Sequence, residues 1–273
     1  MAVIAINQQL GSAGIQVGEA AAAKLGCRFV TGDQLIAATA ERFDVSADQM
    51  RIFDIHTPHF WERGKSETPR YLAFFRAVLL KELCGAPAVV VGRSVAFMLP
   101  QSPCTLRARV IAPLQSRVAR VMAEEQLTQS AAEKKTLHYD GEVKARIQSL
   151  YNLDIDDSAN YDLVLKNAQH PISVIADTIA AAAAAIDAAG DTAAPRRLHD
   201  AAIAAQVHAA LFAHPKIQDA QIVVGCSEGR VNISGPGLVP PWDELVIAVA
   251  RSVEGVAAVE VGAEAAVIPD PPG

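Results

Sequence analysis

The stretch Ala2-Val3-Ile4-Ala5-Ile6-Asn7-Gln8-Gln9-Leu10-Gly11-Ser12-Ala13-Gly14-Ile15-Gln16 decides how the rest of the chain is read. Ala2 to Ile6 is a short apolar run, which predicts a buried strand. A turn of small residues follows, and Val17 to Leu25 then reads as an amphipathic, alanine-rich helix that can pack closely on a sheet. In such a strand, loop and helix opening, backbone N–H groups and the positive end of the helix dipole face whatever occupies the turn, which favours a phosphate. The candidate phosphate-binding residues are Gln9, Gly11, Ser12, Ala13, Gly14, Ile15 and Gln16. A phosphate loop of the usual kind ends Gly-Lys-Ser/Thr, where the lysine meets the phosphates and the hydroxyl meets Mg²⁺. Here those slots hold Gly14, Ile15 and Gln16, so a tight βα turn with no ligand explains the same residues.

Outward from this opening the alternation repeats. Arg28 to Val30 predicts a strand and Asp33 to Phe43 a helix; Pro69 to Leu83 predicts a helix leading to the strand Ala88 to Val91. Thr105 to Ile111 and Leu114 to Glu125 form the next strand and helix, and Leu163 to Leu165 precedes the alanine-rich helix Val174 to Ala189. Repeated β and α units with almost wholly apolar strands predict an α/β fold, a parallel sheet with helices on both faces.

The segment Ala188 to Arg197 carries Gly and Pro without periodicity and reads as a linker. The expected division is 1–189 for the first domain, 190–197 for the linker and 198–268 for a small second domain. In the latter, a helix from Asp200 to Phe212 precedes alternating runs at Ala220 to Gly225 and Arg230 to Ser234, joined through Ser227-Glu228-Gly229 as a hairpin. A helix from Asp243 to Val253 and a strand from Ala257 to Val261 complete an α+β unit of order αββαβ.

Composition narrows the function classes. With 24 Lys+Arg against 30 Asp+Glu the net charge is −6, which disfavours general nucleic-acid binding through phosphate neutralisation. Hydrophobic residues are 51% and aromatics 5%, so alanine-rich helices build the core and disorder over most of the chain is excluded. The most apolar run, Ile179 to Ile186, is mostly alanine between Asp177 and Asp187, so no membrane span is expected. Met1 to Ile6 lacks the positive flank of a signal peptide, and a cytoplasmic location is expected. Cys27, Cys84, Cys104 and Cys226 are scattered and read as reduced structural thiols.

Gln9 to Gly14 after an N-terminal strand resembles the opening of the cytidylate kinase-like proteins, a branch of the P-loop nucleoside monophosphate kinases, which usually shows Arg-Gln-x-Gly-Ser-Gly-Gly-Arg-Glu there. Val30-Thr31-Gly32-Asp33-Gln34-Leu35-Ile36 resembles the family's monophosphate-binding turn, and Val91-Gly92-Arg93-Ser94 with Pro100 resembles the Gly-Arg-Asp strand end of bacterial members. Ala112-Pro113 through Arg117 and Arg120 resembles the arginine-bearing lid helix, and Asp157 with Tyr161-Asp162-Leu163-Val164-Leu165 the strand before the final helix. The resemblance covers about residues 1 to 187 and implies ATP and Mg²⁺ as cofactors and nucleotides as substrates. It departs from the family at Gln8 and Ile15, where arginines are usual, and at Ser94, which stands in place of an aspartate that contacts the acceptor.

On this resemblance the charges facing the transferred phosphoryl group are Arg93, Arg117, Arg120 and Arg146, each of which is otherwise a solvated surface arginine. Asp33, Arg63, Arg70, Arg93 and Ser94 form the acceptor set; Asp33 serves equally well as a helix-capping or first-turn acid. The segment from Asp54 to Arg76, with Phe60 and Trp61, stands where such kinases insert monophosphate-binding helices, and an aromatic cluster anchoring a long loop is the preferred reading. No protein metal site is expected: His56 and His59 are separated by Pro58, and Asp154, Asp156 and Asp157 read as a solvated turn. An enzyme is favoured over a nucleotide-binding sensor or scaffold without catalysis. Near the C-terminus, Glu228-Gly229-Arg230-Val231-Asn232-Ile233-Ser234-Gly235 and Val253-Glu254-Gly255-Val256 resemble the BON domain, which implies a module that binds a small ligand or a protein partner.

Overall fold

The computed structural model describes residues 2–50, 68–217, 222–235, 238 and 242–262. Five strands, β1 (Val3–Gln8), β2 (Arg28–Thr31), β3 (Ala88–Gly92), β4 (Thr105–Ile111) and β5 (Leu163–Lys166), form one sheet in the order β2-β3-β1-β4-β5. Every pairing in it is parallel. β1 is central because Ala2 to Ile6 is apolar on both faces: Val3 and Ala5 enter one core, Ile4 and Ile6 the other.

The core around Ile4 is closed by α1 (Gly14–Leu25) and α7 (Ile172–Ala189), which bury Val17, Ala21, Ala22, Ile175, Ala176, Ile179 and Ala183. Their alanines let the two helices approach closely. By length and composition α7 is apolar enough to cross a membrane; Ile175 and Ile179 are buried in this core with Ile172 and Ile186 packed against it, while Val174 is exposed. The opposite core is built by α2 (Gly32–Phe43), α3 (Thr68–Leu83) and the single turn α4 (Val95–Met98). There Phe43 stacks on Phe74 with ring centroids 4.0 Å apart. α5 (Leu114–Glu125) and α6 (Gln129–Tyr151) follow β4 and pack against each other.

α8 (Ala194–Ala213) begins inside the expected linker, because Asp191 accepts from the Ala193 N–H and pairs with Arg197 while Pro195 occupies the first turn. A proline there removes an N–H that has no partner within a helix, so it starts the helix rather than breaking it. One face of α8, with Ala202, Ala205, Ala209 and Phe212, belongs to the core that contains α3. The other face, with Ile203, Val207 and Leu211, closes a second sheet. That sheet contains β6 (Val223–Ser227), β7 (Arg230–Ser234) and β8 (Ala258–Gly262) in the order β6-β7-β8. β6 and β7 are antiparallel, β7 and β8 parallel, with α9 (Trp242–Arg251) between β7 and β8 in sequence. Asp200 of α8 fastens the β6–β7 turn by accepting the N–H groups of Glu228 at 3.0 Å and Gly229 at 3.1 Å. All four cysteines are free thiols.

Candidate active site

The loop between β1 and α1 turns through two left-handed residues, Gly11 at φ 73° and Ala13 at φ 62°. Three successive loop carbonyls are each taken by a distant side chain. Arg117 donates to the Leu10 oxygen at 3.4 Å, Arg120 to that of Gly11 at 2.7 Å, and Asn167 to that of Ser12 at 2.8 Å. Because each peptide is planar and trans, a fixed carbonyl fixes the next residue's N–H on the opposite side, which orients the amides of Gly11 and Ala13. Gln9 anchors the start of the loop, donating its N–H to Val110 and accepting the Ala112 N–H through its side chain.

The cleft beside this loop, of ≈ 190 Å³, lies at the carboxyl ends of β1, β2 and β3, where open α/β sheets take ligands. It brings together Gly11, Ala13, Ile15 and Gln16 of the loop with Asp33 of α2 and Arg93 after β3. Asp33 does not cap its helix. Thr31 does, in a capping box: its hydroxyl accepts the Gln34 N–H at 3.2 Å and the Gln34 side chain accepts the Thr31 N–H at 2.9 Å. Asp33 is thus left as an exposed first-turn carboxylate on the cleft wall.

Arg93 donates to the Tyr139 hydroxyl and lies over that ring, 5.4 Å from its centroid. Tyr139 comes from α6, a helix that the apolar pattern did not reveal. Its buried positions include Thr136 and Arg146, so the apolar stripe is broken by polar residues. The signal present was Thr128, whose hydroxyl caps the helix by accepting the Ala131 N–H.

The other expected residues are placed differently. Arg117 is buried, with its guanidinium bound to the carbonyls of Leu10 and Ala112 and paired with Asp140 at 2.8 Å, so it braces the loop instead of facing the cleft. Arg120 also binds the loop's backbone, and Arg146 is 1% exposed, away from the cleft lining. Ser12 and Ser94 are buried as well, and neither lines the cleft. Arg70 lies over the Phe74 ring on α3, and Arg63 lies outside the described residues, as do His56, His59, Phe60 and Trp61.

A second cavity of ≈ 160 Å³ adjoins the cleft and is lined by Gln8, Gln9, Arg109, Tyr139, Lys144 and Asp156 among others. Arg109 is buried; it donates to the Tyr161 hydroxyl at 3.1 Å and to Asp156 at 2.6 Å. Burial pushes the Tyr161 phenol up from its ordinary value. Lys144 bridges Asp154 and Asp156; the Asp156 N–H and then Lys144 hold the Asp154 carboxyl below its ordinary value. The acidic turn is therefore neutralised by cations, and no group of three metal-ligating side chains occurs among the described residues.

The parallel sheet, its braced βα loop and the cleft at the strand ends define a P-loop kinase-like α/β protein. The sequence profile of the Cytidylate kinase-like family matches residues 3–169, more than half of the chain, and the chain belongs to that family. A cytidylate kinase of Haloquadratum walsbyi is 34% identical over 86 residues, covering 32% of this chain and 45% of that protein. A cytidylate kinase of Methanocaldococcus jannaschii is 29% identical over 96 residues, covering 34% and 54%. The chain thus spans about half the length of these curated relatives. Among solved structures, an uncharacterized protein from Eubacterium ventriosum superposes with a TM-score of 0.53 at 17% identity, covering 67% of this chain and 98% of that one, a likeness of fold.

Proposed function

We propose that the chain binds ATP at the β1–α1 loop and transfers a phosphoryl group to a nucleoside monophosphate seated between Asp33 and Arg93. The observation that carries this reading is the single cleft in which the braced loop, Asp33 and Arg93 meet. The oriented amides of Gly11 and Ala13 and the Arg93 guanidinium suit phosphate oxygens. Mg²⁺ commonly binds through substrate phosphates with one or two carboxylates; Asp33, on the cleft wall, would be such a carboxylate, and the ion would neutralise phosphate charge. The chain's own residues position the two substrates, which is most of what phosphoryl transfer requires. A coupled ADP-release screen over all ribo- and deoxyribonucleoside monophosphates, with ATP and Mg²⁺, tests the reading. Turnover on one acceptor or a related few, reduced in Arg93→Ala, supports it; no ADP release above the ATP-only control overturns it.

A second reading is favoured by Ile15 in the lysine slot and by Arg117 and Arg120 being committed to the loop. In this reading the protein binds nucleotide as a sensor or scaffold without turnover. Calorimetric ATP binding with no ADP release on any acceptor would select it.

The C-terminal unit, BON-like in sequence, is read as a regulatory or interaction module. Its antiparallel hairpin extended by a parallel third strand supports the αββαβ order of the unit. Turnover and association state unchanged after removal of residues 222–262 would leave the module without that role.

A further inference from the structure

The cleft and the smaller cavity beside it share two side chains, Gln8 and Tyr139. Gln8 is the last residue of β1, and its Oε1 accepts the Ile15 N–H at 3.1 Å. The first turn of α1 is therefore closed by a side chain from the preceding strand, since Ala13 at the N-cap has no capping group. Gly14 makes this contact possible: a β-carbon there would lie 2.6 Å from both Cβ and Oε1 of Gln8.

A neutral carboxamide oxygen at this position occupies the point where the positive end of the helix attracts an anion. Phosphate oxygens make charge-assisted bonds roughly twice as strong as neutral ones, so a triphosphate can displace the amide, but only at the cost of the bond already made.

We propose that Gln8 is an internal stand-in for a phosphate oxygen, holding the Ile15 amide until a nucleoside triphosphate displaces it. The displaced side chain has room on its other side, in the cavity lined by Arg109 and Lys144. Gln8 is on this account a positioning residue that sets the threshold for triphosphate binding, an inference that rests on the loop being the triphosphate site.

The test is calorimetric ATP titration of the full chain and its Gln8→Ala, Gln8→Asn and Gln8→Glu variants, joined to ¹⁵N resonances of the Ile15 amide. Removing the competing oxygen should tighten ATP binding about two- to tenfold in Gln8→Ala, the equivalent of one net hydrogen bond. Gln8→Asn, one methylene too short to reach, should behave alike and decides the matter if Gln8→Ala does not fold. Gln8→Glu should weaken binding about tenfold or more, because a carboxylate holds the amide harder and repels the phosphates. The Ile15 amide should shift on ATP addition in the natural protein, and without ATP in Gln8→Ala. If the natural protein binds ATP while folded Gln8→Ala and Gln8→Asn bind it equally or more weakly, the proposal is overturned and the triphosphate reading stands. If no form binds ATP, both are overturned.

Discussion

Gly11 lies so close to Arg117 that a β-carbon on the glycine would sit 2.6 Å from the arginine's carbonyl oxygen. This glycine is required twice by the fold, by its φ of 73° and by the approach of α5, before any phosphate is considered. Gly11→Ala should therefore lower stability, with about 1–2 kcal/mol from the left-handed backbone alone and more from the contact. Urea denaturation measures it. An alanine variant as stable as the natural protein would show that α5 yields freely, and the glycine would then be explained by ligand access alone.

Arg117 and Arg120 lie on one helix and serve the same loop, yet their substitution should differ. Arg117→Ala leaves the Asp140 carboxylate and two carbonyls without this donor in a largely enclosed site and should cost about 2–4 kcal/mol, less than a fully buried pair because Asp140 is partly exposed. Arg120→Ala loses one bond to a backbone oxygen and should cost about 1 kcal/mol. Equal losses in thermal denaturation would contradict the assignment of Arg117 as the principal brace.

His208 of α8 shares its surroundings with Arg76 of α3, the Ile222 backbone and the Phe212 ring. Burial first, and then the Arg76 charge, push its imidazole down from 6.5 to about 4. A histidine held neutral in the fold stabilises the protein above its unfolded value and loses that contribution as pH falls. Stability should therefore decline between pH 6.5 and about 4, by on the order of 3 kcal/mol from this group. His208→Gln should flatten that limb of a pH series of urea midpoints. An acid limb of unchanged slope would remove His208 as its cause.

The two faces of α8 predict how the chain tolerates truncation. A chain ending at Gly190 would uncover the face of α3 on which Ala202, Ala205, Ala209 and Phe212 pack, and should be insoluble or molten. A chain extending through residue 217 keeps that face covered and should unfold cooperatively, although it exposes Ile203, Val207 and Leu211 on the other face of α8 and should self-associate. Nucleotide binding and sharp thermal unfolding in the shorter chain would show instead that the first domain closes without α8.

Much of the fold was legible because burial imposes local patterns. β4 and α5 begin and end where apolar periodicity places them, and Val3 to Ile6 of β1 and Ala88 to Val91 of β3 are apolar runs because helices cover both faces of the sheet there. That the βα turn, Asp33 and Arg93 line one cleft was also legible, since each follows a strand and the carboxyl ends of parallel strands converge. What tertiary structure decided is the work of side chains whose partners are remote in sequence. Arg117 meets Leu10 across 107 positions and Asn167 meets Ser12 across 155, so no spacing rule could turn an expected lid arginine into a loop brace. α6 escaped because polar Thr136 and Arg146 occupy its buried face, and α8 looked like a linker followed by a helix because its apolar residues divide between two cores. Periodicity reports that a face is buried; only the assembled chain determines against what.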